Sequence, residues 1–313
     1  MAINKVLVVG MGVMGSGIAQ VCAQSGFQTY VYDVSTEACQ KGLKMIDKTL
    51  AKRMEKGKLS EGEKASIMGR LKAVGRLEEV TDADLVIEAV FEQFEIKKEV
   101  FTQLGKVMPP HTILASNTSA LPATPMAAAS GRPDKFIIIH FHQPPQVMKL
   151  IELVRAIQTS DETAKAAREF CKKIEKDVCE LKVDCPGFLT NRTMVALLNE
   201  VYYCLYEGVA TKEDIDMAFK SGFNWPMGPL ELSDFIGLDT LLHISEDLYK
   251  RRGGDKYTPC PLLVNMVAAG YLGRKSGKGF FSNKSILIFL KILNLLRKEV
   301  IRRNLQSFFI LLV

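Results

Sequence analysis

Hydrophobic residues in the first half of the chain fall in short unbroken runs, set apart by stretches of helical spacing. Val6, Leu7, Val8 and Val9 form a β-branched run that predicts a strand buried on both faces. Gly10, Met11, Gly12, Val13, Met14 and Gly15 follow at once, and residues 16–23 continue with helical spacing until Gly26 stops the helix. Residues 28–32 predict a second strand that ends at Asp33. Residues 36–78, rich in Lys, Glu, Met and Leu, carry helical periodicity with a break near Gly57. Apolar runs at 84–87, 112–115 and 136–139 predict three more strands, each ending in polar residues. The first ends at Glu88, with Glu92 and Lys97 just beyond; the second ends at Ser116, Asn117, Thr118 and Ser119; the third ends at His140. Residues 147–154 predict a further strand that holds one acid, Glu152, in an apolar run.

The texture changes at Asp184, Cys185, Pro186, Gly187 and Phe188, a turn-forming cluster that predicts a boundary. Beyond it only helical patterns occur. Residues 189–207 are amphipathic, and residues 212–220 follow a Thr211 cap with acids in the first turn. Pro226, Gly228 and Pro229 mark a turn, residues 230–250 are helical again, and residues 273–279 form a basic, glycine-rich loop. The pattern predicts an α/β fold: a Rossmann-type, mostly parallel sheet over residues 1–184, then an all-helical C-terminal domain over 185–282. Residues 283–313 make an atypical tail. Residues 285–296 are nearly all Ile, Leu and Phe, residues 297–303 are basic, and residues 308–313 are apolar again. An amphipathic helix for a partner or a membrane surface is one reading of the tail. A frameshifted or read-through end is the preferred one.

Composition narrows the function. The 313 residues are 47% hydrophobic and 24% charged, as in ordinary globular proteins. A net charge of +6, from 41 Lys and Arg against 35 Asp and Glu, argues against a nucleic-acid partner and fits local basic patches for an anionic ligand. The seven cysteines include no CxxC or other metal-ligand spacing, so reduced thiols in a cytoplasmic protein, and no metal site, are expected. No signal peptide opens the chain, and no run of 18 or more apolar residues predicts a membrane span.

Residues 6–33 carry the first chemistry. Gly10 permits a tight turn, Gly12 lets the backbone approach a pyrophosphate, and Gly15 lets helix pack on strand. Free N–H groups of Gly12, Val13, Met14 and Gly15 at a helix start favour phosphate. Asp33, 21 residues after Gly12, is placed to accept from the ribose hydroxyls, and its charge disfavours a 2′-phosphate, so the expected cofactor is NAD rather than NADP. A GxGxxG alone also fits a ligand-free turn; strand, glycines, helix, strand and acid in order point to the cofactor. In a parallel sheet ligands bind beyond the carboxyl ends of the strands, which places the polar clusters at Glu88, 116–119 and His140 on the same edge as the glycines. Glu152 is a candidate partner for His140, although an acid in a strand also fits an exposed face. The basic run Lys52, Arg53, Lys56 and Lys58 reads either as a solvated helical face or as a landing site for a phosphorylated substrate tail. Asn191 and Arg192, near the start of the first helix of the second half, taken alone read as caps or surface.

From about residue 3 to residue 281 the sequence resembles the 3-hydroxyacyl-CoA dehydrogenase family, particularly its bacterial 3-hydroxybutyryl-CoA branch. The resemblance rests on the run from Gly10 to Gln20, on Glu92 with Lys97, and on Ala115 to Ser119. It continues through His140 and Phe141 with Pro144 and residues 147–150, then Pro186, Gly187 and Phe188 with Asn191 and Arg192. Pro226 to Pro229 and Arg274 to Phe280 complete it. It implies His140 as catalytic base, Glu152 as its orienting partner, and Ser119 and Asn191 at the substrate oxygen. It also implies Glu92, Lys97, Asn117, Ser119 and Lys275 at the cofactor, and Thr49 and Lys56 at coenzyme A. The implied activity is NAD-dependent, reversible oxidation of a short-chain (S)-3-hydroxyacyl-CoA, in fatty-acid β-oxidation or butyrate metabolism, by a homodimer. A hydroxy-acid dehydrogenase that does not use coenzyme A, and a non-catalytic NAD-binding relative, are the rival readings. The chain departs from the family pattern after His140 and Phe141, where Phe-Asn-Pro is replaced by His142, Gln143 and Pro144. Gln143 keeps the amide expected at the nicotinamide end and adds a methylene. His142 is a second candidate base; His140 is preferred because it ends its strand and stands 12 residues before Glu152.

Overall fold

The structure, a computed structural model, describes residues 2–281, so the expectations for the 283–313 tail lie outside the described residues. The chain divides into two compact units between Leu189 and Thr190. Among the described residues no helix is long and apolar enough to cross a membrane.

The first unit is built on one sheet of eight strands. They are β1 (Lys5–Val9), β2 (Gln28–Tyr32), β3 (Leu71–Ala73), β4 (Leu85–Glu88), β5 (Ile113–Ser116), β6 (Phe136–Phe141), β7 (Leu150–Arg155) and β8 (Asp177–Leu181). Their order across the sheet is β3-β2-β1-β4-β5-β6-β7-β8. Every neighbouring pair is parallel except β6 and β7, which run antiparallel. Six helices connect the strands: α1 (Val13–Gln24), α2 (Thr36–Glu55), α3 (Glu61–Gly69), α4 (Phe94–Val107), α5 (Ala123–Ala129) and α6 (Asp161–Lys173). The unbroken apolar runs are explained by cover on both faces. Val6 and Val8 pack with Ile18, Ile46 and Phe170 on one side. Leu7 and Val9 pack with Phe101, Leu104 and Met126 on the other. Each such side chain contributes about 1.5–3 kcal/mol by leaving water.

The strand order reverses between β1 and β4, the crevice where an open α/β sheet takes its ligand. Gly10 sits there at φ +94°, and a Cβ on it would lie 2.7 Å from the carbonyl oxygen of Ala89 at the end of β4.

Three differences from the sequence pattern have physical causes. The helical stretch expected over 36–78 ends earlier, because Leu71–Ala73 adds a short edge strand to β2. Being short and mostly exposed, β3 has no apolar run to reveal it. The strand expected over 147–154 begins only at Leu150; residues 147–149 form a loop that the Lys176 ammonium holds through the carbonyls of Pro145 (2.5 Å) and Met148 (2.6 Å). At the far edge, β8 is half-buried and likewise lacks a run.

The second unit is helical: α7 (Thr190–Tyr206), α8 (Lys212–Gly222), α9 (Pro229–Ile236), α10 (Leu238–Arg252) and α11 (Pro261–Ala268). Leu198, Val201, Tyr202, Leu230, Leu238 and Leu241 form its core. The helix expected over 230–250 is broken at Gly237, whose φ of +107° leaves helical geometry while the apolar spacing runs on. Two acids tie its loops. Asp216 accepts the N–H groups of Leu230 (2.8 Å) and Glu231 (3.0 Å) at the start of α9. Asp234 accepts those of Phe280 (2.9 Å) and Phe281 (2.8 Å). Burial pushes both carboxyls above the ordinary range, and these N–H donors oppose the shift.

Gly105 of α4 faces α5 so closely that a Cβ would stand 1.8 Å from the carbonyl oxygen of Ser130. Gly105→Ala is expected to destabilise the protein by about 1–3 kcal/mol, at the upper end because backbone must move. Urea unfolding followed by circular dichroism measures this, and an unchanged midpoint contradicts the packing.

Candidate active site

The glycine turn fits a dinucleotide. Gly12 caps α1 with no side chain over the first-turn N–H groups, and a Cβ on Gly12 would meet nothing within 4 Å, leaving open space for a phosphate. Gly15 is packed so that a Cβ would fall 1.7 Å from the carbonyl oxygen of Gly10. Val13 is exposed and Met14 half-buried beside them. Asp33 accepts the N–H of Met11 (2.8 Å) on one oxygen and that of Ser35 (3.0 Å) on the other, which pins its carboxylate at the end of β2. Gly17 has a role the sequence did not reveal: a Cβ there would lie 2.9 Å from Pro145 and from Gln146, so the loop after β6 rests on α1.

At the ends of β4 and β5 the polar residues are held by a buried ion pair. Glu88 and Lys97 are 0% and 1% exposed, with 2.6 Å between carboxylate and ammonium. Glu88 also accepts the hydroxyl of Ser116 (2.6 Å) and the N–H of Val90 (2.7 Å). Lys97 reaches Glu92 at 3.2 Å, and Glu92 accepts the hydroxyl of Thr118 and the N–H of Ser119 (2.9 Å). Lys97 therefore acts on the site by holding Glu88 and Glu92. Glu88 itself, only a strand end in the sequence, is the centre of this network. Asn117 donates its N–H to the carbonyl of Glu88 (2.8 Å), and its side-chain oxygen accepts the N–H of Phe141 (2.9 Å), which aligns the ends of β4, β5 and β6.

His140 and Glu152 are directly opposite in the antiparallel β6–β7 register. His140 Nδ1 lies 3.0 Å from a Glu152 oxygen. The His140 side chain is 8% exposed and that of Glu152 has no exposure. The other Glu152 oxygen accepts the N–H of Leu189 (3.0 Å). Phe188 packs edge-on against the His140 ring, with centroids 5.6 Å apart. Its φ of +49° is a left-handed conformation rarely taken by a bulky residue, and such strain collects at functional sites. The Pro186–Gly187–Phe188 signal, read from sequence as a boundary, thus closes over the His–Glu pair. His142, two residues along, is half-buried, with its ring centroid 4.6 Å from that of His140. Gln143 is exposed in the following loop.

The remaining expected residues are on other elements. Thr49 and Lys56 stand seven residues apart at the end of α2 and its cap, a spacing that puts both on one face. Asn191 is on the first turn of α7, and Lys275, in the basic loop, pairs with Asp239; both belong to the second unit.

Partial loss of solvent raises the Glu92 carboxyl, but the Lys97 ammonium and the donors from Thr118, Ser119 and Lys97 outweigh it and hold Glu92 below its ordinary 4.5. A depressed carboxyl contributes stability that is present above the unfolded value and lost as pH falls through the lowered one. Glu92→Gln is therefore expected to flatten the pH dependence of stability below about 4.5, measured as urea midpoints against pH. A parallel downward offset at every pH contradicts the ion-pair assignment.

Comparison with known proteins extends over 90% of the chain. Residues 5–185 match the 3-hydroxyacyl-CoA dehydrogenase NAD binding domain, and residues 187–283 match the 3-hydroxyacyl-CoA dehydrogenase C-terminal domain. A probable 3-hydroxybutyryl-CoA dehydrogenase of Bacillus subtilis is 50% identical over 281 residues, covering 90% of this chain and 98% of that protein. A mitochondrial hydroxyacyl-coenzyme A dehydrogenase of Rattus norvegicus is 40% identical over 290 residues, 90% of this chain and 92% of the relative. The crystal structure of an (S)-3-hydroxybutyryl-CoA dehydrogenase from Ralstonia eutropha superposes with a TM-score of 0.86 at 41% identity, covering 90% of this chain and 99% of the other. Both domains are matched in order. The chain belongs to the 3-hydroxyacyl-CoA dehydrogenase family, with NAD as its cofactor.

Proposed function

We propose that this chain catalyses the reversible NAD-dependent oxidation of a short-chain (S)-3-hydroxyacyl-CoA, with 3-hydroxybutyryl-CoA as the substrate, to the 3-oxoacyl-CoA. The observation that carries the reading is the buried His140–Glu152 pair at the carboxyl end of β6. NAD, when bound, supplies the hydride acceptor.

With its Nδ1–H donating a hydrogen bond to the Glu152 carboxylate, neutral His140 keeps Nε2 as the lone-pair nitrogen. That nitrogen takes the C3 hydroxyl proton while the C3–H bond gives up its hydrogen with both electrons, and the C3–oxygen bond becomes a carbonyl. In the reverse direction the imidazolium returns the proton. Glu152 fixes the tautomer and balances the imidazolium charge. Ser119 and Asn191 keep the role their motif implies, hydrogen bonding to the substrate oxygen. Glu92, Asn117, Ser119, Gln143 and Lys275 serve the cofactor, with Lys97 behind Glu92. Thr49 and Lys56, on one face of α2, serve coenzyme A, which favours the landing-site reading of the basic run. The same reading makes the protein a cytoplasmic enzyme of fatty-acid or butyrate metabolism. Exposed Met217, Phe223 and Phe235 on the helical unit support a homodimer.

Acetoacetyl-CoA is expected to oxidise NADH rapidly under this enzyme, and free acetoacetate far more slowly, followed by the loss of NADH absorbance. Equal rates with both overturn the coenzyme A assignment; no rate with either, by protein that binds NADH, overturns the enzyme. His140→Gln is expected to lower kcat by at least about 10²–10⁴-fold while NADH affinity, read by fluorescence titration, stays near wild type. Near-normal turnover in that variant transfers the base to His142.

A further inference from the structure

His142 Nε2 has no hydrogen-bond partner among the described residues. This nitrogen is shut off from solvent, and the nearest carboxylate oxygen, on Glu152, is 3.6 Å away, beyond hydrogen-bond reach. The same oxygen lies 3.0 Å from His140 Nδ1. All three atoms fall within 4.8 Å of one another. Two imidazoles and one carboxylate, one ligand atom each, converge there, and the proposed dehydrogenation has no use for His142.

The β6–β7 register fixes half of this convergence, because His140 and Glu152 are directly opposite partners. His142 lies one residue past the end of β6, with its ring centroid 4.6 Å from that of His140. The Leu189 N–H holds the other Glu152 oxygen and so sets the carboxylate's rotation. In a tetrahedral zinc site with bonds near 2.0–2.1 Å, neighbouring ligand atoms stand roughly 3.3 Å apart. The two carboxylate–imidazole distances, 3.0 and 3.6 Å, bracket that spacing, and the two imidazole nitrogens lie within 4.8 Å of each other. Two histidines and a glutamate, with one position open to water, is a recognised zinc donor set, and imidazole suits borderline divalent ions over calcium or magnesium. Cysteine spacing could not reveal such a site, because it contains no cysteine.

We propose that His140, His142 and Glu152 form a binding site for a divalent ion of the zinc class, and that occupancy switches the dehydrogenase off. The binding step stands on geometry alone; the switch rests on the proposed function. An ion at the site takes the Nδ1 lone pair of His140, and the single proton of that neutral ring moves to Nε2. Nε2 then has no lone pair for the C3 hydroxyl proton, and Glu152 is spent on the metal. No electron transfer or bond cleavage is involved, and removal of the ion restores the original tautomer.

The test titrates zinc sulfate into chelator-washed, full-length wild-type protein and His142→Phe, with binding read by equilibrium dialysis and NADH oxidation by acetoacetyl-CoA read in parallel. The wild type is expected to bind one equivalent. His142→Phe, which keeps a ring and removes the ligand atom, is expected to lose affinity by more than the roughly 10–100-fold that loss of an outer-shell partner costs. Wild-type turnover is expected to fall with occupancy and return with chelator, while the variant holds its own metal-free rate at the same zinc concentration. Cobalt(II) on the wild type checks the donors without relying on the variant's folding. Nitrogen and oxygen ligands give no thiolate charge-transfer band, and such a band places the ion on one of the seven cysteines and overturns the site. Equal zinc binding by both chains overturns it as well. His142-dependent binding with undiminished turnover overturns the switch. If neither substrate is turned over in metal-free protein, the proposed function fails while the dialysis still decides the site.

Discussion

Two carboxylates in the sheet, Glu88 and Glu152, have no contact with solvent, and a buried charge is tolerable only where donors surround it. Much of the local architecture of the first unit answers that requirement. Around Glu88 the donors are Lys97, Ser116 and the Val90 N–H, drawn from α4, β5 and the turn after β4. Around Glu152 they are His140 from β6 and the Leu189 N–H at the end of the unit. Each set joins elements far apart in sequence, so satisfying the charge also aligns the strand ends. The reversed strand β7 is essential to the second set, because only antiparallel pairing brings position 152 opposite position 140 across a short connection.

What was legible in the sequence follows from burial. Strands β1, β4, β5 and β6 are covered on both faces, so they read as continuous apolar runs, and their polar ends announced the site edge. Asp33 and the glycine turn were legible because their spacing is dictated by a ligand of fixed size. The edge strands β3 and β8 were not, since one exposed face removes the run. The break at Gly237 was hidden because apolar periodicity continues through it, whereas the conformation that ends α9 belongs to one residue. The bonds of Lys97 and Ser116 to Glu88 and of the Leu189 N–H to Glu152 join residues 9, 28 and 37 positions apart, which no local pattern encodes.

The motifs that carry the family resemblance divide into chemistry and scaffolding by the same criterion. Gly279, in the basic loop, exists for packing: a Cβ there would fall 1.9 Å from Asp234, the acid that accepts the Phe280 and Phe281 N–H groups. Gly228 stands in the same relation to Asp216, with 2.2 Å to its carboxyl carbon. These two sequence signals therefore report how loops of the helical unit are fastened. The glycines at 10, 12 and 15 differ among themselves as well. Gly10 and Gly15 are required by backbone contacts, and Gly12 alone faces open space.

That Glu152 is charged matters more during the reaction than before it. A neutral His140 gains a hydrogen bond from any acceptor at 3.0 Å, and an amide oxygen would orient the ring as well. In the proposed reaction the ring becomes cationic once the substrate proton arrives at Nε2, and only a carboxylate then gains Coulomb energy. An interaction stronger in the charged state than in the resting one lowers the barrier rather than merely tightening binding. Full burial of the carboxylate increases the effect, because solvent screening is weak there. The cost of keeping Glu152 out of water is thus offset where charge develops. The same buried carboxylate beside two imidazoles is what the proposed divalent-ion site rests on.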